Sequence, residues 1–422
     1  MKNREIVTAI DIGTTKIYTI VAEILSGENE FQVIGHGASI SKGLNKGVIV
    51  DVEKVTKDVE ASIKSVEYMA DVEIKSAYVG VAGKHIESLI SHSMTVLGEE
   101  PREIIAMDIK QLEEVAKNKV VPIDRKVIHK ILYNYKIDNS EVVKNPLGMV
   151  GTKLEADVHI VTGVVNSIDA LVKSVNNISI EVDDILLEPL ASAKSVLTET
   201  EKKLGTVLVD IGGGTTDVAI FKNEKLIYTS VLPVGGEHFT NDIASILNID
   251  IKTADRIKRE FSQYIDDIDL EDVIEVPSYN EGEMKKIKMS FLKEIIESRI
   301  EDIIEHISKK IDVSGYEHLI PNGIVFTGGA SKIAGLRERA EEYFDMPIRL
   351  GIPRNHKGIL KEIQKPENAT GIGLLLYGVE NYKNKNKNVK LKKEKEIEEI
   401  KNTKKRTNII MEKMKKWFEL LF

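Results

Sequence analysis

The chain has 422 residues, 42% of them hydrophobic and none of them cysteine. It can therefore build two or three packed cores, which excludes a wholly disordered chain, and disulfides, thiolate nucleophiles and cysteine-based zinc sites are excluded together. Formal net charge is −8, but residues 381–422 hold 14 Lys/Arg against 6 Glu, a net +8 that leaves the body at −16, and an acidic body excludes nucleic-acid binding by its faces.

Residues 1–4 are basic, but the apolar run that follows contains Asp11, which spoils a signal-peptide core. No stretch reaches the roughly 20 apolar residues of a spanning helix, so a cytoplasmic protein is expected. Residues 5–12 are rich in β-branched side chains and run into Gly13-Thr14-Thr15, and a second such stretch follows at 16–23: strand, glycine turn, strand. Residues 52–70 carry apolar positions at helical spacing. Residues 85–162 read as a small inserted α+β unit, strand-like around Met94, helical at 108–118, and strand-like again around Tyr133 and Val158.

The opening pattern then returns. Residues 207–211 form a strand, Gly212-Gly213-Gly214-Thr215-Thr216 a turn, and 217–222 the returning strand, so one hairpin occurs twice in an internally duplicated chain. Helices are predicted at 236–247 and 252–263, a hairpin at 271–287, and a long helix at 290–311 with Ile295, Ile296, Ile300, Ile303, Ile304 and Ile307 on its apolar side. A buried-type strand at 324–326 ends in Thr327-Gly328-Gly329-Ala330-Ser331, and helix 336–344 follows. Regular structure is expected to stop near Tyr382. Residues 383–408 are almost all Lys, Glu and Asn and bury too little to offset their ordering entropy, so they are expected to be a disordered linker.

A turn free of bulky side chains lets backbone N–H groups converge on an anion; glycine supplies the left-handed conformations and threonine adds hydroxyl donors. Gly13, Thr14 and Thr15, facing Gly212, Gly213, Gly214 and Thr215, would form a phosphate clamp, with Lys16 neutralising charge. Asp11 and Asp210, at the strand ends, are placed to hold the waters of a Mg²⁺. The small residues Gly328, Gly329 and Ala330 would let a flat base lie against backbone.

The order of hairpin, Glu188-Pro189-Leu190-Ala191-Ser192-Ala193, second hairpin and Thr327-Gly328-Gly329-Ala330 resembles the actin, Hsp70 and sugar-kinase superfamily. No Walker A, G-x-S-x-G or G-x-G-x-x-G fingerprint competes. The resemblance implies an α/β actin-like ATPase fold, with two duplicated ribonuclease-H-like halves around a nucleotide cleft. It also implies ATP and Mg²⁺ as cofactors, with Glu188 near the attacking water and Asp11 and Asp210 organising the metal. Asp255 and Lys258 would lie on the adenosine side; the superfamily more often has Glu where Asp255 stands.

Residues 41–51, 145–155, 234–243 (with Gly235 and Gly236) and 328–336 narrow the resemblance to the bacterial FtsA division family. That family implies self-association into actin-like filaments, other division partners, at most slow ATP turnover, and binding of the FtsZ C-terminal peptide on a small subdomain at 232–310. Arg299 is the candidate contact for that acidic peptide, with pairing to Glu294 or Glu297 on its own helix as the alternative. The implied division is 1–84 with 163–204 as first half, 85–162 inserted, 205–231 with 311–382 as second half, 232–310 as its small subdomain, then linker and tail.

On a helical wheel Ile410, Met414, Trp417, Phe418 and Leu421 share one face of 409–422, with Glu412, Lys415, Lys416 and Glu419 opposite. Trp417 is the only tryptophan, and tryptophan favours the membrane interface. Lys404-Lys405-Arg406 stands just upstream, where anionic lipid attracts each charge by about 1 kcal/mol. The expectation is an amphipathic helix in the interface plane on the cytoplasmic side of the cell membrane at the division septum; a helix packed back onto the body is the alternative. As a coil, the linker would span roughly 25–30 Å, from about 5–6 Å × √n. Rival readings are a sugar or acetate kinase, an Hsp70-like chaperone, for which no substrate-binding β-domain follows the core, and a pilus-assembly homologue.

Overall fold

The computed structural model describes residues 4–25, 30–264, 269–278, 284–354 and 356–386. The predicted amphipathic helix, and the linker from residue 387 onward, lie outside them. Among the described residues no helix is long and apolar enough to cross a membrane.

The first half begins with an antiparallel meander, β1 (Ile6–Ile12), β2 (Lys16–Ile24) and β3 (Phe31–Ile40). A short hairpin, β4 (Leu44–Asn45) and β5 (Val48–Ile49), leads to α1 (Val52–Ala70) and then β6 (Ser76–Val81), parallel to β1. α1 starts where the Asp51 carboxylate accepts from the Lys54 N–H at 3.0 Å, and it ends at Asp71 in the left-handed region, φ 52°. Between those caps Val55, Val59, Ile63, Val66 and Ala70 repeat at helical spacing and are buried.

The chain then leaves this sheet for β7 (Ile86–Val96), β8 (Arg102–Glu103), α2 (Ala106–Val120), β9 (Arg125–Ile137), β10 (Val150–Gly151) and β11 (Lys153–Val164). A three-stranded sheet in the order β7-β11-β9 covers its own core of Leu112, Ala116, Leu132, Leu154 and Val158. α3 (Val165–Asn176), β12 (Glu181–Leu187), parallel to β6, and α4 (Glu188–Val196) return to the first sheet.

After α5 (Glu199–Leu204) come β13 (Thr206–Ile211), β14 (Thr216–Lys222), β15 (Lys225–Leu232), α6 (Gly236–Leu247) and α7 (Ile251–Tyr264). β16 (Val273–Pro277) and β17 (Met284–Lys288) form the predicted hairpin and lead into α8 (Met289–Ser314). β18 (Ile324–Thr327), α9 (Leu336–Phe344) and β19 (Ile348–Leu350) follow, and a last helix, α10, covers 369–386.

The two five-stranded sheets run β3-β2-β1-β6-β12 and β15-β14-β13-β18-β19, three antiparallel strands followed by two parallel ones in each. The duplication expected from the repeated hairpin is present, in the actin-like α/β arrangement that the superfamily resemblance implies. One core lies within the second half, and another joins the first half to Leu208, Ala219, Phe221 and Val325 of the second. α10 departs from the expectation by chain order: Ile372, Leu375 and Val379 pack with Val7, Ala9 and Ile20, on the first sheet and not the second. It also carries helix through 383–386, four residues into the segment expected to be unstructured.

Candidate functional site

The two glycine turns are closed by the same bond. Gly13 N–H donates to the Lys16 carbonyl at 3.0 Å, and Gly212 N–H to the Thr215 carbonyl at 2.9 Å. They abut at their tips. A Cβ added to Gly213 would fall 2.4 Å from Thr15 Cγ2, and one added to Gly214 would fall 2.7 Å from Thr14 Cγ2, so glycine alone admits this approach. The fold therefore brings Gly13, Thr14, Thr15, Gly212, Gly213, Gly214 and Thr215 to one place.

The third loop closes on the second strand end. Gly328 has φ +86°, and a Cβ there would sit 2.3 Å from Asp210 Oδ1 and 2.5 Å from the Ile211 carbonyl. Gly329 and Ala330 follow in a 3-10 turn. Lys16 Nζ donates to the Glu367 carbonyl at 2.7 Å and Asn368 Oδ1 at 3.0 Å, and lies 4.9 Å from the centre of the Tyr18 ring.

Gly235 and Gly236 stand behind the second turn instead of facing an anion. The Gly236 and Glu237 N–H groups donate to the Gly212 and Gly213 carbonyls at 2.9 and 2.8 Å, and the Gly235 N–H donates to His238 Nδ1 at 3.1 Å. Lys258, buried, donates to Thr240 Oγ1 at 2.7 Å and the Gly236 carbonyl at 3.2 Å, and pairs with Asp255 at 2.8 Å. Asp255 also binds Arg259 at 2.7 Å. Beside them a cavity of about 680 Å³ is walled by Phe261, Ile296, Phe326 and Ile333, with Ser262, Ser331 and Lys332 as polar lining.

Asp11, Glu188, Asp210 and Asp217 converge beneath the turns. Burial raises the Asp11 carboxyl to about 7; Lys16 opposes the shift and Asp210 adds to it. Burial, then the charges of Asp11, Asp217 and Asp210, hold Glu188 well above the ordinary carboxylate range. Asp210 is raised by burial, against hydrogen bonds from Ser192 at 2.6 Å and Thr370 at 3.3 Å. Asp217 is raised by burial and by Asp210, and its Oδ1 is buried without a hydrogen-bond partner.

Four crowded carboxylates and an orphaned carboxylate oxygen fit a divalent cation, which would supply the missing positive charge. Among the described residues no three His, Asp or Glu converge closely enough to ligate a metal directly, so a cation would be met through its waters. Sequence reasoning singled out neither Asp217, Ser192 nor Thr370. A signal for Asp217 existed: it pairs across the hairpin with Asp210, and like charges directly opposite destabilise a ladder unless a cation sits between them.

The Asp11 shift has a sign that can be measured. A carboxyl raised from 3.8 to about 7 keeps a proton in the folded state that the unfolded chain releases. Its contribution to stability is therefore present at low pH and lost between about 4 and 7, at no more than about 1.4 kcal/mol per pH unit. Thermal melts from pH 5 to 8 are expected to show a steeper loss in the ligand-free parent than in Asp11→Asn, and Mg²⁺ is expected to offset the parent's loss. Parallel curves for the two proteins would show that Asp11 titrates normally.

Arg299 is held by neither alternative carboxylate of its own turn. Its Nε and Nη2 bind Asp242 on α6 at 2.6 and 3.0 Å, and Nη1 binds Asp302 at 2.6 Å, while Glu297 lies 3.6 Å from Lys293.

Comparison with known proteins supplies the frame for this geometry. Residues 207–373 match the family profile of Cell division protein FtsA, and residues 83–162 match that of the SHS2 domain inserted in FTSA. The chain is 41% identical over 381 residues to Cell division protein FtsA of Pseudomonas aeruginosa, covering 90% of this chain and 91% of that one. It is 34% identical over 390 residues to that of Escherichia coli K12, covering 90% and 92%. Among solved structures it is similar to the PilM-PilN type IV pilus biogenesis complex, TM-score 0.63 at 15% identity, over 88% of this chain and 98% of that one. It is also similar to MreB5 of Spiroplasma citri bound to ADP, TM-score 0.51 at 16% identity, over 92% and 100%. At such identities the structural likeness is one of fold, the actin-like fold.

Proposed function

The chain belongs to the FtsA family of cell division proteins, and from that premise we propose that it binds ATP with Mg²⁺, assembles with FtsZ at the division site, and anchors the FtsZ ring to the cytoplasmic face of the membrane. The observation that carries the nucleotide reading is the meeting of two glycine turns over buried carboxylates. Thr14, Thr15, Lys16 and the turn amides hold the phosphates, with Gly235 and Gly236 acting from behind as the support of the second turn. Asp11 and Asp210 hold the waters of Mg²⁺. The base lies against Gly328, Gly329 and Ala330, toward the cavity lined by Ser262 and Lys332, and Asp255 fixes the Lys258 ammonium on the adenosine side.

Glu188 orients a water for slow hydrolysis. The water oxygen bonds to the γ-phosphorus as the bond to the bridging β-oxygen breaks, ADP leaves with the electron pair, and the water's proton passes to a phosphate oxygen.

The small subdomain at 232–310 receives the acidic FtsZ C-terminal peptide, with Arg299 as a contact. Because Arg299 is already bound to Asp242 and Asp302, the peptide exchanges carboxylates there and adds no uncompensated charge pair. The protein also self-associates into actin-like filaments. Residues 409–422 bind anionic lipid, and 387–408 tether them. The full chain with ATP and Mg²⁺ is expected to carry FtsZ down with anionic liposomes in a sedimentation assay. FtsZ that stays in the supernatant while the chain itself pellets would refute the FtsZ partnership, and a chain that does not pellet would refute the anchor.

A further inference from the structure

The inserted unit is braced against both halves. Ser88 on β7 donates to the Thr229 carbonyl on β15 at 2.8 Å, and Lys144 pairs with Glu224 at 3.0 Å, both in the second half. On the first half Ile86, Ile128, Ile131 and Val161 pack into the core, and the Leu187 N–H donates to His129 Nε2, on β9, at 2.9 Å. Burial holds the imidazole far below its ordinary range, at about 4, with Asp184 opposing. The ring is therefore neutral, and Nε2 is the unprotonated acceptor.

Leu187 is the last residue of β12 and the N-cap of α4, and Glu188 is the first residue of that helix. Leu187 offers no side-chain cap, and Pro189 has no N–H. The Glu188 carboxyl is influenced by burial and by neighbouring charges, with no hydrogen bond among the described residues to hold it. Gly80 leaves it room, since a Cβ there would lie 3.2 Å from Glu188 Cγ. Its position thus depends on where the backbone of α4 begins.

We infer that His129 is a positioning residue for Glu188, fixing the Leu187 peptide so that placement of the inserted unit sets the rate at which bound ATP is hydrolysed. The inference rests on the reading of Glu188 given above. A misplacement of about 1 Å in a reacting group costs as much as a hundredfold in rate. A movement of β9 relative to β12, whatever grips the inserted unit, would therefore be felt at the γ-phosphate.

The test is single-turnover hydrolysis of ATP with Mg²⁺ by the full chain, with ATP affinity measured in parallel, for the parent, Glu188→Ala, His129→Leu, His129→Gln and His129→Asn. His129→Leu is expected to slow hydrolysis about tenfold at unchanged ATP affinity. His129→Gln, whose amide oxygen reaches the place of Nε2, is expected to restore most of the rate, whereas the shorter His129→Asn is not. Hydrogen exchange at the Leu187 amide should quicken in the Leu and Asn variants alone. Should His129→Leu fail to fold, the comparison of Gln with Asn decides, and equal rates for those two overturn the inference. Parent-like hydrolysis by His129→Leu beside an inactive Glu188→Ala overturns it while leaving Glu188 in place. Equal hydrolysis by parent and Glu188→Ala removes the role of Glu188 and this inference with it.

Discussion

Gly213→Val is expected to abolish the rise in melting temperature that ATP with Mg²⁺ confers on the parent protein. At a nucleotide concentration a hundredfold above Kd, mass action stabilises a folded state by about 2.7 kcal/mol. That increment should vanish, because the new side chain occupies the point where the two turns meet. Its Cβ alone would lie 2.4 Å from Thr15 Cγ2 and 2.5 Å from Thr15 Oγ1, so the turns must separate and the amides that converge on the phosphates diverge. Gly98→Ala is the matched control, since a Cβ there meets nothing closer than the Glu100 carbonyl at 3.4 Å; its nucleotide response should equal that of the parent. Circular dichroism of Gly213→Val without nucleotide separates lost binding from lost folding. An undiminished ATP-dependent shift in a folded Gly213→Val protein would show that the turns do not hold the phosphates.

Replacing Trp417 and Phe418 together by Glu is expected to release the protein from anionic vesicles, with at least a hundredfold loss of affinity. Two aromatic side chains, each worth about 1.5–3 kcal/mol when buried, are exchanged for two anions at the acyl boundary, where a charge costs a further increment and repels anionic headgroups. The cores of the described residues are built from positions 7–379, and the proposed tether sets the tail apart from them. Melting temperature, nucleotide response and binding of an FtsZ C-terminal peptide should therefore stay at parent values, while recruitment of FtsZ to vesicles fails. If the double variant sediments with vesicles as the parent does, the tail is a docking helix or a partner-binding element. If nucleotide response falls with lipid binding, the tail packs on the body.

Much of the fold was legible because it is local. Helix 52–70 is legible to its ends, since Asp51 caps one terminus and Asp71 breaks the other within a few residues of an unambiguous apolar period. Helices 236–247 and 336–344 are as legible, each opening after a glycine and closing at Asn248 or Asp345 in the left-handed region. β6 and β12 are not legible in this way. Both are short parallel strands, and a brief apolar run buried by its neighbours has no period that distinguishes strand from helix. Arg299 shows the same limit at a single side chain: its own helix offers Glu294 and Glu297, but the partners are Asp302 one turn on and Asp242 from α6.

By itself the sequence determined the duplication, the two glycine turns with Asp11 and Asp210 at their strand ends, and the charge and apolar pattern of the tail. Backbone turns and amphipathic periods are set by residues within about four positions of one another, so no distant contact is needed to see them. Only the tertiary structure decided that Thr15 touches Gly213, that Asp217 joins Asp11 and Glu188, that α10 crosses to the first sheet, and that His129 holds the peptide before Glu188. Those pairs lie tens to hundreds of residues apart. What brings them together is the packing of whole sheets against one another, a property of buried surfaces that no short stretch of chain encodes.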